Sequence, residues 1–173
     1  MHLATKAAFG LAMIALAACN NPSKNGANGV VDPGGAYGDA GGVSQGSIND
    51  PNSPAYFSGK VGDTVRFVIN QSTLTDEARA TLSGQAQWLN GHGNYAAIIE
   101  GHADEQGTRE YNLALGARRA SSVQQYLISQ GVPATRLRTV SYGKERPIAT
   151  CAAESCFEQN RRAVTVISVG AGS

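Results

Sequence analysis

The sequence predicts an α/β fold, a two-layer βαβαβ(α)β sandwich in which helices pack on one face of a four-stranded mixed sheet. Three observations lead to this prediction. Runs of β-branched and aromatic residues alternate with segments of helical periodicity between residues 61 and 170. Glycine and proline punctuate the ends of these segments. Before residue 60, Asn-Gly and Pro-Gly dipeptides take the place of any apolar periodicity.

Each element follows from a local pattern. The β-branched stretches predict strands at 64–69, 95–100, 137–142 and 163–169. Apolar residues three and four apart predict helices at about 75–90 and 109–130. Thr75 offers an N-cap to the first helix, and Gly131 ends the second. The second helix is expected to bury Leu113, Gly116, Ala120, Val123 and Leu127. A short helix is expected to lead into the last strand.

The N-terminus resembles an export signal that ends in a lipid attachment site. Lys6 precedes an apolar stretch of small residues, 7–18, which is too short to span a bilayer. Leu16-Ala17-Ala18-Cys19 resembles the bacterial lipobox, which implies cleavage before Cys19 and acylation of that residue. The alternative is an ordinary secretory signal with an incidental cysteine. We expect residues 1–18 to be a signal peptide. Asn20, where Asp would favour the inner membrane, favours the outer membrane.

Residues 19–60 are predicted to be the lipidated N-terminus and a flexible linker. Their Gly-, Asn- and Pro-rich sequence buries too little apolar surface to offset the entropy of ordering. Tyr56 and Phe57 are the exceptions, and either they dock on the edge of the domain or they serve as a foothold for a partner. The globular domain is expected at 61–170, followed by a short tail at 171–173.

Charge and composition exclude several classes of function. The 173 residues carry a formal net charge of +1 without a run of Lys or Arg, which argues against a nucleic-acid-binding protein. No Gly-x-Ser-x-Gly elbow occurs, and Glu100 with Glu105 is a poor hydrolytic pair because Glu100 ends a strand. His102 and Asp104 offer a metal two ligands without a third. We expect a protein that is not an enzyme and uses neither metal nor cofactor.

Three ordered blocks carry a family resemblance. They are residues 100–120, which begin Glu-Gly-His-Ala-Asp-Glu, residues 141–147, Ser-Tyr-Gly-Lys-Glu-Arg-Pro, and residues 160–163, Asn-Arg-Arg-Ala. Together they closely resemble the OmpA-like peptidoglycan-binding domain over about residues 61–169. The resemblance implies non-covalent binding of peptidoglycan by a periplasmic domain. With the lipid anchor, it implies a tether between the outer membrane and the cell wall.

The resemblance also implies protein partners. TolB is the first and TolA the second, with residues 142–146 and 104–110 as the contact surface. The alternative is a wall-anchoring lipoprotein that acts outside the Tol system, since related domains also anchor flagellar stators and porin-type barrels.

The candidate site pairs an acid with a base. Diaminopimelate in peptidoglycan stems ends in an ammonium and a carboxylate, so a receptor needs both charges in one pocket. By resemblance, Asp104 and Arg119 take these two ends, since a planar Arg fork can hold a carboxylate through two hydrogen bonds. The alternative is an ordinary surface ion pair. Helical spacing places Asn112 and Leu115 on the face of Arg119 and turns Arg118 away. The other predicted site residues are Thr108 and Phe67.

The sequence departs from the family pattern at three positions. Relatives often carry Phe-Asp-x-Asp after the first strand, whereas this chain has Val68 and Asn70 at the acidic positions. Gln106 stands where Arg is frequent. These departures put ligand contacts from Val68 and Asn70 in doubt.

Two cysteines remain after Cys19, and both lie in the loop before the last strand. Cys151 and Cys156 are predicted to form a disulfide, because four residues separate them in an exported protein. The alternative is two free buried thiols.

Overall fold

The computed structural model describes residues 46–170. The strands are β1 (Thr64–Arg66), β2 (Tyr95–His102), β3 (Leu137–Gly143) and β4 (Arg162–Val169). The α-helices are α1 (Pro54–Tyr56), α2 (Asp76–Gly91), α3 (Arg109–Ser129) and α4 (Glu154–Asn160). A π-helical turn (Phe57–Gly62) follows α1, and a 3-10 turn (Ala134–Arg136) precedes β3. The predicted signal peptide, Cys19, the linker up to residue 45 and the tail lie outside the described residues.

The four strands form one mixed sheet in the order β1-β4-β2-β3. Strand β4 pairs antiparallel with both β1 and β2, while β2 pairs parallel with β3. Parallel neighbours need a crossover connection, and α3 supplies it while packing on both strands. Helix α2 packs on β1 and α3, so the two long helices share one core with the sheet. The two-layer α/β fold predicted from the sequence is confirmed. Within residues 46–170, no helix combines the length and apolarity needed to cross a membrane.

The buried face of α3 agrees with the predicted one at four of five residues, and Leu113 is the exception. Leu113 was expected in the core but is 44% exposed, while its neighbour Asn112 is fully buried. The buried residues of α3 are Asn112, Leu115, Gly116, Arg119, Ala120, Val123 and Leu127. Since each residue turns an α-helix by roughly 100°, a face that includes Asn112 and Leu115 excludes Leu113. The error at Leu113 came from following apolar residues alone, whereas the first half of this face also buries the polar side chains of Asn112 and Arg119.

Strand β1 is shorter than predicted. It ends at Arg66, although its apolar pattern continued to residue 69. The chain then leaves the sheet, and Val68 is 46% exposed. The backbone carbonyls of Val68 and Gln71 instead accept hydrogen bonds from the buried side chain of Arg119. A distant guanidinium therefore ends the strand, which a local pattern cannot reveal.

The linker ends earlier than predicted, because residues 46–60 pack against the domain. Phe57 is fully buried, and its ring lies 5.0 Å from that of Trp88. The indole Nε1 of Trp88 donates to the carbonyl of Pro51 at 2.8 Å. The prediction of a flexible linker is thus wrong for 46–60, and Phe57 docks on the domain. The segment has little apolar sequence of its own, and α2 supplies its partners.

A close approach of α3 to β2 places the start of α3 beside the end of the sheet. A Cβ at Gly101 would overlap the carbonyl oxygen of Gly116, and a Cβ at Gly116 would lie 2.7 Å from the carbonyl oxygen of Gly101. Any side chain at either position would push the helix off the strand. This contact sets the depth at which Arg119, one turn further along α3, enters the interior.

Candidate functional site

Four segments meet at the C-terminal end of β2. They are the turn 103–108, the first half of α3, the segment 67–71 and residues 160–161 at the start of β4. Five predicted site residues are buried there, namely Phe67, Asp104, Asn112, Leu115 and Arg119. The sixth, Thr108, is exposed and caps α3, because its Oγ1 accepts the N–H of Tyr111 at 3.2 Å. Arg118 is exposed, as its helical position predicts.

Arg119 is fully enclosed and holds three backbone carbonyls. Its Nε donates to Gln71 O at 2.9 Å, its Nη1 to His102 O at 2.7 Å, and its Nη2 to Val68 O at 3.2 Å. Its guanidinium carbon lies 5.2 Å from the ring centroid of Phe67. Burial lowers the pKa of Arg119 to about 10, although the charge of Asp104 acts in the opposite direction. The side chain therefore stays charged at neutral pH.

This enclosure changes how Arg119 can meet a ligand. A guanidinium has five N–H groups, and three of them are committed to carbonyls that fix the 67–71 segment on the end of β2. With no part of Arg119 exposed, a ligand can reach the other N–H groups only if the 67–71 segment moves aside. In the conformation described, Arg119 organises the wall of the site.

Asp104 pairs with a cation that the sequence prediction missed. Its Oδ2 lies 3.2 Å from Nη1 of Arg161, and its Oδ1 accepts the backbone N–H of Gln106 at 3.3 Å. The Nη2 of Arg161 also donates to Glu154. Burial alone would lower the pKa of Arg161, but hydrogen bonds to Glu154 and Asp104 outweigh it and raise that pKa. The ion pair of the site is thus Asp104–Arg161.

The signal that could have found Arg161 lies in the third family block, Asn160-Arg-Arg-Ala163. The block was recognised, but nothing local says which of its side chains turns inward. Asn160 is fully buried, and its Nδ2 donates to Glu105 Oε1 at 2.6 Å. Its Oδ1 accepts the N–H of Ile148 at 2.9 Å. Asn160 and Arg161 therefore fasten the start of β4 to two successive residues of the 103–108 turn.

The interior of that turn is held by Asn112. Its Nδ2 donates to Gln106 O at 2.8 Å. Gly107 supplies the reversal, with a φ of 92° that side chains rarely adopt. The N–H of Ala103 donates to Gly143 O at 2.8 Å, which ties the turn to β3. Asp104 is therefore presented by a fixed loop, and Asn112 acts as a brace inside it.

The departures from the family pattern lie at the rim of the site. The side chain of Val68 is exposed, and Asn70 Oδ1 accepts the hydroxyl of Tyr111 at 3.4 Å. Asn70 has a φ of 56°, which Asn tolerates better than most residues. A groove of about 630 Å³ borders this rim beside β1, with Phe67, Arg161 and Glu154 in its lining. The 67–71 segment therefore offers apolar and amide contacts to a ligand and no carboxylate.

His102 is buried behind the site on the other face of the sheet. Its ring stacks on Tyr142 with centroids 5.5 Å apart, and neither ring nitrogen has a hydrogen-bond partner among the described residues. Burial lowers its pKa to about 4, with smaller contributions in the same direction from Arg162 and Arg146. Its Nε2 lies 3.7 Å from a Glu100 oxygen, too far for a hydrogen bond. The imidazole is therefore neutral at neutral pH, and no ion pair forms.

The described residues contain no group of three or more His, Cys, Asp or Glu side chains arranged to hold a metal ion. Cys151 and Cys156 form a disulfide with Cα atoms 5.7 Å apart. It closes the loop that leads into α4, directly before the residues that hold Asp104.

Comparison with known proteins agrees with this fold. The family described as OmpA matches residues 66–161. The C-terminal domain of MotB from Helicobacter pylori has the same fold, with a TM-score of 0.59 and 22% identity over 63% of this chain and 86% of that chain.

Two relatives are more similar in sequence. The peptidoglycan-associated lipoprotein of Mesorhizobium japonicum is 50% identical over 94% of this chain and 90% of its own length. The crystal structure of the peptidoglycan-associated lipoprotein from Burkholderia pseudomallei has a TM-score of 0.62 and 40% identity, and it covers 70% of this chain and 98% of that chain. The chain therefore belongs to the OmpA family, and within it to the peptidoglycan-associated lipoproteins.

Proposed function

We propose that this chain is an outer-membrane lipoprotein whose periplasmic domain binds peptidoglycan non-covalently and so tethers the membrane to the cell wall. The observation that carries the proposal is the position of Asp104, which a fixed turn presents beside two buried guanidinium groups. An acid next to bases in one pocket suits a zwitterionic ligand group. The names of the relatives above indicate that the polymer bound is peptidoglycan. Its zwitterionic group is the end of the diaminopimelate side chain.

The ligand roles follow from the hydrogen-bonding capacity that these groups have left. Asp104 uses one lone pair on each oxygen, for Gln106 and Arg161, and a carboxylate has about four acceptor sites. Asp104 can therefore also accept the diaminopimelate ammonium. We assign the terminal carboxylate to Arg119, which requires the 67–71 segment to move aside. Leu115 and Asn112 support the pocket from α3, while Thr108 and Phe67 border it.

The proposed activity is binding without cleavage. Glu100 and Glu105 are the carboxylates nearest to a hydrolytic pair in the sequence. Glu105 is committed to Asn160, and Glu100 projects from β2 on the same face as His102, across the sheet from the helices. Neither carboxylate faces the cleft that glycan hydrolysis requires.

We assign the anchor to Cys19, with residues 20–45 as the spacer between the membrane and the domain. A flexible chain of that length has a mean reach of roughly 30 Å, from about 5–6 Å times the square root of the residue number. Several acyl chains on Cys19, at about 0.8 kcal/mol per buried methylene, would make membrane attachment effectively permanent.

We place the chain in the Tol–Pal system, with TolB as its partner and TolA as a second one. The contact surface proposed is residues 142–146 with the 104–110 turn. These two segments lie side by side, since Lys144 Nζ donates to Gly107 O at 2.8 Å and Arg109 pairs with Glu145 at 3.0 Å. Because the same turn carries Asp104, TolB and peptidoglycan should compete.

Co-sedimentation with purified sacculi tests the proposal. The mature chain should pellet with diaminopimelate-type sacculi and bind poorly to sacculi whose stems carry Lys, which lacks the terminal carboxylate. Asp104→Asn keeps the shape of the side chain and removes its charge, so it should weaken binding at least tenfold. Asp76→Asn, the same change on an exposed residue of α2, is the matched control. Equal binding to both sacculi, or by Asp104→Asn, would refute the site, and release of soluble fragments would refute the non-enzymatic reading.

A further inference from the structure

Helix α4 is a short element that needs outside support. It has seven residues and no side-chain N-cap, and an isolated helix of this length is unstable in water. The Cys151–Cys156 disulfide ties its first turn to the preceding loop. Asn160, at its last residue, binds the backbone of Ile148 and Ala149. The helix is thus held in place at both ends, and its position is fixed relative to the site.

Glu154, in the first turn of α4, acts on the site through Arg161. Its carboxylate accepts Nη2 of Arg161, while Nη1 of the same guanidinium lies 3.2 Å from Asp104 Oδ2. The side chains of Arg161 and Asp104 are 6% and 7% exposed, and that of Glu154 is 65% exposed. One buried cation is therefore shared between the buried carboxylate of the proposed ligand site and an exposed carboxylate that lines the groove beside β1.

The charge count of this triad decides what Asp104 can bind. Asp104, Glu154 and Arg161 together carry a net charge of −1, which offsets the neighbouring charge of Arg119 and leaves the site able to accept an ammonium group. Without Glu154, the Asp104–Arg161 pair is neutral and the charge of Arg119 is no longer offset, and Arg161 has no carboxylate partner other than Asp104. An ammonium would then have to displace a buried ion pair.

We propose that Glu154, held in place by the Cys151–Cys156 disulfide, is a positioning residue that satisfies Arg161 and so leaves the charge of Asp104 available to a ligand ammonium. This inference rests on the proposed function and adds a determinant of affinity outside the pocket. Because Glu154 is partly solvated, its influence is screened and should shrink as salt rises.

The first experiment is calorimetric titration of the mature chain with a soluble muropeptide that ends in diaminopimelate. Glu154→Gln should weaken binding roughly three- to tenfold at low salt. At 0.5 M salt the Debye length is on the order of 4 Å, so screening should make the loss smaller. Glu154→Asp, which keeps the charge, should recover most of the affinity. Glu158→Gln is the matched control, because Glu158 is exposed one turn further along α4, lines the same groove, and has a side chain that makes no hydrogen bond or ion pair with the described residues. Unchanged affinity in Glu154→Gln, or an equal loss in Glu158→Gln, would overturn the proposal.

The second experiment tests whether the disulfide acts through Glu154. The double variant Cys151→Ser with Cys156→Ser should weaken binding by a similar factor, and adding Glu154→Gln to it should cost little more. Multiplying losses would mean that the disulfide and Glu154 act independently, against the proposal. Thermal unfolding of each variant verifies that the domain is folded at the titration temperature. If the unsubstituted chain binds no muropeptide, the proposed function fails first and this inference with it, whereas wild-type binding that Glu154→Gln leaves intact rejects the inference alone.

Discussion

Replacing Arg119 by Ala should destabilise the domain strongly, because several opposing effects at this residue do not cancel. Arg119 donates to three backbone carbonyls, and hydrogen bonds from a charged donor contribute about 1.5–3 kcal/mol each. Their loss costs roughly 4–9 kcal/mol. Against this, burial lowers the pKa of Arg119 to about 10, which corresponds to a cost of roughly 3 kcal/mol for burying the charge, and the substitution recovers this cost. Hydrogen bonding wins, and we expect a net loss of about 3 kcal/mol.

That loss converts into a measurable change in melting temperature. An unfolding entropy of about 2.1 cal/mol/K per residue gives residues 46–170 roughly 0.26 kcal/mol/K, so 3 kcal/mol lowers Tm by about 11 °C. Thermal unfolding of the mature chain by circular dichroism measures it. Arg118→Ala, an exposed neighbour on the same helix, should shift Tm by at most about 2 °C, since surface substitutions rarely exceed about 0.5 kcal/mol.

Arg119→Lys separates geometry from charge. An ammonium keeps the positive charge but cannot span three carbonyls in the plane of a guanidinium, so Tm should recover less than half of the drop. A Tm for Arg119→Ala within 3 °C of the wild-type value would refute the reasoning. It would mean that the three carbonyls find other partners, and that Arg119 is free to serve the ligand alone. Binding by Arg119 variants should therefore be measured only well below their Tm.

Three further predictions concern the rest of the chain. Limited proteolysis of the mature protein should cut within residues 19–45 and leave 46–170 intact, and a stable fragment that starts near residue 61 would contradict the packing of Phe57. Cys19→Ser should abolish the lipid mass increment and membrane fractionation, and a wild-type protein without that increment would exclude the anchor. The pKa of His102 falls from 6.5 to about 4 on folding, so between these values the unfolded chain binds a proton that the folded chain does not. The protonation of His102 therefore has no effect on the free energy of unfolding above pH 6.5, and it lowers that free energy by about 2–3 kcal/mol by pH 4.5. Urea unfolding of His102→Gln should lack this component, and an identical pH dependence in both proteins would show that His102 takes up its proton in the folded state.

The parts of the fold that the sequence predicted correctly are those determined by local patterns. Helix α2 begins after Thr75, whose Oγ1 accepts the N–H of Ala78 at 3.1 Å, as its capping chemistry indicates. Helix α3 ends before Gly131, which has a φ of 92°. The cysteines are only five positions apart, so their pairing is also a local matter.

The errors arise where distant side chains override local sequence. Nothing in residues 64–69 indicates that Arg119, about 50 positions away, captures the carbonyls of that segment and ends β1 early. In residues 46–60, Tyr56 and Phe57 were candidates for docking, but nothing local identifies Trp88 as their partner. The partner of Asp104 was missed for the same reason, since Arg161 lies 57 positions away and the obvious cation was the one on the next helix.

The polar interior of this domain shows why these errors gather at one end. Among the described residues, most of the buried polar and charged side chains lie near the end of β2 and the start of β4. These are His102, Asp104, Asn112, Arg119, Asn160, Arg161 and Arg162. The rest of the core is mainly apolar; the exceptions are Ser53 and the pair Gln85 and Thr165, in which the hydroxyl of Thr165 donates to Gln85 Oε1 at 2.8 Å. Buried ion pairs are poor stabilisers, because desolvation offsets most of their attraction, and an apolar core of the same volume is often more stable. Where a fold buries charged groups at this cost, its structure departs from what local sequence patterns predict, and such departures are expected at functional sites. In this domain they surround Asp104, the carboxylate to which we assign the ligand ammonium.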